Sequence, residues 1–213
     1  LGSKSVAIGM GTLANQNFTT ATDTFNTVVG HIAGNAITTG IKNTLIGGLA
    51  GDALTDANFN VAVGFEALGA DTLGTGSVAI GRAALEAQNF TTSTTTYNTA
   101  VGHHAGLSVT TGIQNTLIGG LAGDALADAD YNVAIGYNAL STDTLGSTST
   151  AIGLSALSVQ NFTTATNSFN TAIGYTAGGS VTTGVENTII GALSGDALTD
   201  ADRNAVFGYS ALT

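Results

Sequence analysis

The chain has 213 residues, 43% of them hydrophobic but only 6% aromatic and 8% charged, with fourteen Asp or Glu against four Lys or Arg for a net charge of -10. A surface so poor in Lys and Arg disfavours nucleic acid and anionic membranes as partners, because neutralising phosphate requires basic side chains. With no Cys there is no disulfide, thiolate metal site or Cys nucleophile, and no apolar run approaches the roughly 18 residues of a membrane-spanning helix, so membrane insertion is not expected.

In chain order, a five-residue motif recurs twelve times: a polar residue, an apolar residue or Thr, two apolar residues and Gly, as in SVAIG (Ser5 to Gly9), NTLIG (Asn43 to Gly47) and NVAIG (Asn132 to Gly136). The closing glycines lie at 9, 30, 47, 64, 81, 102, 119, 136, 153, 174, 191 and 208, so the intervals cycle through 21, 17, 17 and 17 before repeating. A fixed period of this kind marks a repeat architecture. The expected fold is all-β: a single parallel β-solenoid domain over 1–213, about twelve rungs in three 72-residue repeats at 10–81, 82–153 and 154–213, with 1–9 as a half rung.

Each repeat has four rung types. The 21-residue rung carries QNFTT (Gln16 to Thr20, Gln88 to Thr92, Gln160 to Thr164), and its four extra residues read as a β-prone Thr bulge anchored by Phe18, Phe90 and Phe162. The next three carry TTG, GDAL and DTLG in turn. Glycines such as Gly40, Gly112 and Gly184 fit turns with positive φ. Ala follows three residues after the closing Gly in ten of twelve rungs and suits a tight second wall. Leu1 to Gly9 matches the second half of a DTLG rung and Tyr209 to Thr213 the first half. This pattern suggests either a piece of a longer array or subunits stacking end to end through Leu1, Tyr209 and Leu212.

Strand alternation assigns faces. The fourth motif position is Ile, Val or Phe throughout and the second is Val, Thr or Ala, which points to a solenoid interior. The third position then faces outward, yet is apolar in every rung: Ala7, Val28, Leu45, Ala62, Ala79, Ala100, Leu117, Ala134, Ala151, Ala172, Ile189 and Val206. An apolar outer face implies a covering partner, and the expectation is a homotrimer built on these residues. The first position is Asn nine times and Ser three times, a polar stack that can hydrogen-bond from rung to rung.

The strings NVAIGYNALSTDTLGSTSTAIGLSAL (Asn132 to Leu157) and NTAIGYTAG (Asn170 to Gly178) resemble the NTAIGYNAL-type repeats of trimeric tail-fibre and adhesin proteins, common upstream of intramolecular-chaperone endopeptidase tails. SVAIG (Ser77 to Gly81) resembles the head repeat of YadA-like trimeric autotransporter adhesins. The resemblance spans essentially the whole chain. It implies a left-handed parallel β-roll and a trimeric, extracellular, cell-surface or virion-borne rod.

Three functions follow as expectations: a structural rod segment, a self-assembling filament or sheath joined through a shared rung, or a glycan- or calcium-dependent adhesin module. The runs DADYN and DADRN place oxygen side chains at alternate positions (Asp128, Asp130, Asn132; Asp200, Asp202, Asn204), as calcium loops do, without the Gly and distal Glu of an EF-hand. Polar turns with Asp capping backbone amides are the competing reading, and no other cofactor is expected. Phe65, Tyr137 and Tyr209 form a candidate glycan-stacking ladder. His31 and His103 occupy the slot of Tyr175, beside His104. No P-loop, HExxH or G-x-S-x-G interrupts the repeat, so no enzyme is expected.

Overall fold

The computed structural model describes all 213 residues and contains only strands and turns. Twelve three-residue strands, one per rung from Val6–Ile8 to Ala205–Phe207, form one parallel sheet in which each pairs with the next along the chain. The pairing is in register: Thr99, Ala100 and Val101 lie beside Thr116, Leu117 and Ile118. Every motif position therefore becomes a column along the rod. This is the β-solenoid of twelve rungs that the glycine spacing predicts.

The 21-residue rungs keep that register, since Val78–Ile80 pairs directly with Thr99–Val101. Their four extra residues loop out before the strand and pair with the preceding rung, Gly74–Thr75 beside Thr94–Thr95 and Gly146–Ser147 beside Thr166–Asn167. Phe18, Phe90 and Phe162 are buried beneath this bulge, as the anchor reading requires.

Strands this short cannot hold a fold alone, and the turns stack as well. Of 122 backbone hydrogen bonds, 97 lie outside the strand ladders. Three positions in each rung adopt left-handed φ: the residue before the motif, and the second and fourth after its Gly. That conformation costs roughly 1–2 kcal/mol for a non-Gly residue. Stacking offsets it, because the amides at all three positions bond to neighbouring rungs: Gln114 to the Thr96 carbonyl, Leu121 to that of His103 and Leu140 to that of Ala156. The closing Gly is fixed twice over. Gly119 has a φ of 133°, and a Cβ there would collide with the Gly136 carbonyl. Gly40, Gly112 and Gly184 depart from expectation. Their φ is not left-handed; they are Gly because a Cβ would strike the carbonyl of Ala57, Ala129 or Ala201 in the next rung.

The faces are the reverse of the alternation reading. Val28, Leu45, Ala62, Ala79, Ala100, Leu117, Ala134, Ala151, Ala172 and Ile189 are fully buried within the single chain, Val206 nearly so, and Ala7 is exposed in the first rung. The third position is thus the solenoid core and not an interface between chains. It packs against the Ala wall (Ala33, Ala50, Ala67, Ala84, Ala105 and their equivalents), which is buried as expected. Volumes are matched between columns. Where the third position is Leu45 or Leu117, the facing fourth-after-Gly residues are Gly34 and Gly51, or Gly106 and Gly123, whose added Cβ would lie 2.7–2.9 Å from the Leu methyls. Where it is Ala62, Ala79, Ala134 or Ala151, the fourth residue after Gly is a buried Leu: Leu68, Leu85, Leu140 or Leu157. Large residues in one column thus meet small ones in the other, as close packing of an interior requires.

The Asn column faces inward beside the core, and this explains the reversal. The Asn115 side-chain oxygen accepts the Asn132 backbone amide at 2.9 Å, and its Nδ2 donates to the Ala129 carbonyl at 2.8 Å. Asn43, Asn60, Asn98, Asn132, Asn170 and Asn187 make the same upward bond to the following rung. A polar side chain whose atoms are all paired can be buried at little cost. The rung-to-rung Asn stack is therefore present, but inside.

Candidate functional site

With the third position inside, the second and fourth point outward, Thr, Val or Ala in one column and Ile, Val or Phe in the other. Ile46, Ile118 and Ile173 leave 41, 38 and 37% of their surface exposed, and Ile8 and Phe207 more. Neither column contains a charged residue over twelve rungs. The result is a flat uncharged strip about 53 Å long, from eleven intervals of about 4.8 Å, with its columns about 7 Å apart, one apolar throughout and the other Thr in seven of twelve rungs. The condition for a covering partner, an apolar face toward solvent, is met by these residues instead of the third-position set.

Two columns border the strip. The residue before the motif runs Lys4, Phe25, Lys42, Phe59, Gly76, Tyr97, Gln114, Tyr131, Thr148, Phe169, Glu186 and Arg203. The residue after the Gly includes Phe65, Arg82, His103, Tyr137, Tyr175 and Tyr209. All four Lys and Arg lie in these borders with a single acid, Glu186, while the other thirteen acids lie elsewhere. Phe65, Tyr137 and Tyr209 are exposed and recur every fourth rung. Leu1, Tyr209 and Leu212 are exposed at the two ends.

The calcium candidates are not brought together. Asn132 and Asn204 belong to the inward ladder. Asp130 accepts the Ile113 amide at 2.7 Å, Asp202 accepts that of Val185 at 2.8 Å, and Asp128 accepts the Thr111 hydroxyl at 2.6 Å. All three carboxylates join one rung to the next, Asp130 and Asp202 by capping a backbone amide, and Asp200 accepts only the hydroxyl of its neighbour Thr199. No three acidic or His side chains gather around a common point.

His31, His103 and Tyr175 share an exposed slot, as read from the repeat. His103 and His104 stack with ring centroids 3.8 Å apart, and the Arg82 guanidinium contacts both. Burial pushes the His104 pKa down, reinforced by repulsion from His103 and Arg82. On another face, Asp52, Glu66 and Glu86 line a shallow groove with Leu49 and Leu107. Burial raises the Asp52 and Asp124 carboxyls above the ordinary range, and the Asp124 Oδ1 has no hydrogen-bond partner.

One buried polar cluster was not foreseen. Asp71 Oδ1 accepts the Gly74 and Phe90 amides at 3.0 Å, and its Oδ2 accepts Gln88 Nε2 at 2.6 Å. The same Nε2 reaches the Ser77 hydroxyl, while Gln88 Oε1 accepts from Asn98. Asp143, Gln160, Ser149 and Asn170 repeat the arrangement. In the first copy Gln16 has no such carboxylate beside it, and its Nε2 is unpaired. The signal was available: the Asp of DTLG and the Gln of QNFTT recur at one fixed spacing, Asp71 with Gln88 and Asp143 with Gln160. These clusters carry the Asn ladder across the looped-out bulge.

No protein-family model, curated protein or solved structure matches the chain.

Proposed function

We propose that this chain is a structural rod segment of a tail-fibre or adhesin type of assembly, in which three copies pack their sheet strips around a common axis. The observation that carries the reading is the uncharged strip. Its length and a side-chain width of about 13 Å give on the order of 700 Å² per copy, divided between the two neighbours of a trimer and below the ~800 Å² per partner of a standard two-body interface. Threefold assembly and an extracellular, cell-surface or virion location rest on the resemblance of the NTAIGYNAL-type strings. The function is mechanical, and the reading assigns no catalytic step.

Light scattering on the full chain tests it, with three times the 21.0 kDa chain mass expected. A variant carrying Ile80→Lys, Ile118→Lys and Ile152→Lys places cations on the strip while leaving the core untouched, and should be a monomer with an unchanged circular dichroism spectrum. A wild-type chain that stays monomeric at high concentration would refute the proposal.

A further inference from the structure

We infer that the border column before the motif is a track for a linear, uncharged, β-1,4-linked glycan. Phe25, Phe59, Tyr97, Tyr131 and Phe169 stand in this column on alternate rungs. Their sequence separations are uneven, because every second pair spans a 21-residue rung, but the extra four residues of that rung are looped out. In the rod every neighbouring pair is therefore two rungs apart, about 9.6 Å, and the series spans about 38 Å.

These rings are not required by the fold. Each is exposed, from 50% at Phe25 to 64% at Tyr97, and each has a φ between 50° and 61°. Bulky residues are disfavoured there. Gly76 shows that the same column accepts the residue best suited to that backbone. Lys, Gln, Thr, Glu and Arg share that backbone conformation elsewhere in the column, so φ does not dictate the aromatic choice at these five rungs. The rings also rest on the rung before them. Cδ1 and Cε1 of Tyr97 are each 3.5 Å from the position a Gly76 Cβ would take, and Lys42 Nζ is 5.0 Å from the Phe59 centroid. Lys4 Nζ likewise lies 5.3 Å from the Phe25 centroid, so the part of the track without a cation over its rings is Tyr97, Tyr131 and Phe169.

The chemistry that fits is a sugar polymer. Pyranose rings stack their C–H faces on aromatic faces, and in an extended β-1,4-linked chain alternate sugars turn the same face to one side. The repeat is then the disaccharide, whose length is close to two rung spacings. Between Tyr97, Tyr131 and Phe169 stand Gln114 and Thr148, which can hydrogen-bond sugar hydroxyls, and from Gly76 to Phe169 the column carries no charge. That neutrality, on a chain of net charge -10, favours an uncharged polymer over an acidic one.

The test uses the full chain and depletion from solution by microcrystalline cellulose, by chitin and by α-linked starch granules. Retention is expected on a β-1,4-linked polymer and not on starch. The triple variant Tyr97→Ala, Tyr131→Ala and Phe169→Ala should lower retention by roughly tenfold or more. The control Met10→Ala, His31→Ala and Leu154→Ala, exposed in the opposite border and outside the Phe65, Tyr137 and Tyr209 ladder, should leave it unchanged. Circular dichroism checks that both variants keep the fold. Absence of wild-type retention on both β-linked polymers, or equal loss in both triples, would overturn the inference. So would a first triple that dissociates the oligomer in light scattering without altering retention, which would make the column a contact between copies.

Discussion

Replacing Asn115 with Ala tests which way the sheet faces. Asn115 is fully buried, and truncation leaves two buried backbone groups in adjacent segments without partners: the Asn132 amide and the Ala129 carbonyl. Each orphaned group costs about 1–3 kcal/mol, so the loss should be about 2–6 kcal/mol. That is a large part of the ~5–15 kcal/mol that stabilises a typical protein. The control is the same substitution at exposed Asn89, whose side chain only accepts from Thr72; a change within ~0.5 kcal/mol is expected. Urea unfolding followed by circular dichroism at fixed protein concentration would give both values. Equal, small losses at Asn115 and Asn89 would show that the Asn column is not an interior ladder, and the face assignment would fail with it.

Other consequences are open to measurement. Leu117→Ala should cost about 2–5 kcal/mol by opening a cavity in the core, at any protein concentration, whereas an effect on subunit contacts alone would vary with concentration. Gly119→Ala drives a methyl into the Gly136 carbonyl at a φ Ala rarely adopts, and should yield little folded protein by circular dichroism at room temperature. Asp124 has a raised pKa, so the folded chain holds its proton more tightly than the unfolded one. The associated stability is complete below the unfolded carboxyl value and disappears as pH rises through the raised one. Asp124→Asn should therefore raise stability slightly at pH 7, the effect being weakened by the solvent that still screens this carboxyl, and do nothing near pH 3. Thermal melts at the two pH values decide it, and a variant less stable at pH 7 contradicts the account.

The rung count, the strand positions, the Ala wall and the buried Phe anchors were legible because each is a periodic signal. The orientation of the strand was not. Alternation shows that the first and third motif positions share a face, but not which side is wet. Asn ordinarily marks the wet side; here the rung spacing sets each Asn amide beside the next rung's backbone, a match no local pattern displays. Leu45 and Leu117 held the missing clue, since only an interior needs a Leu in one column balanced by Gly in another. Gly40 misled for a similar reason: its constraint is the Ala57 carbonyl of the next rung and not its own turn. The aromatic border was hidden by uneven sequence separations that become even once the bulge is looped out.

The Asp71–Gln88 and Asp143–Gln160 clusters bear on how such a chain finds its register while folding. Three of every four rungs have the same length and all twelve share one motif, so backbone pairing alone would tolerate a rung stacked one place out of step. A slip of one, two or three rungs would strand a buried carboxylate without its glutamine and set Leu against Leu in the core. Only a slip of four rungs, a whole 72-residue repeat, escapes that penalty. The clusters act as a check read once per repeat, confining misalignment to a rare long-range error in place of a frequent short one.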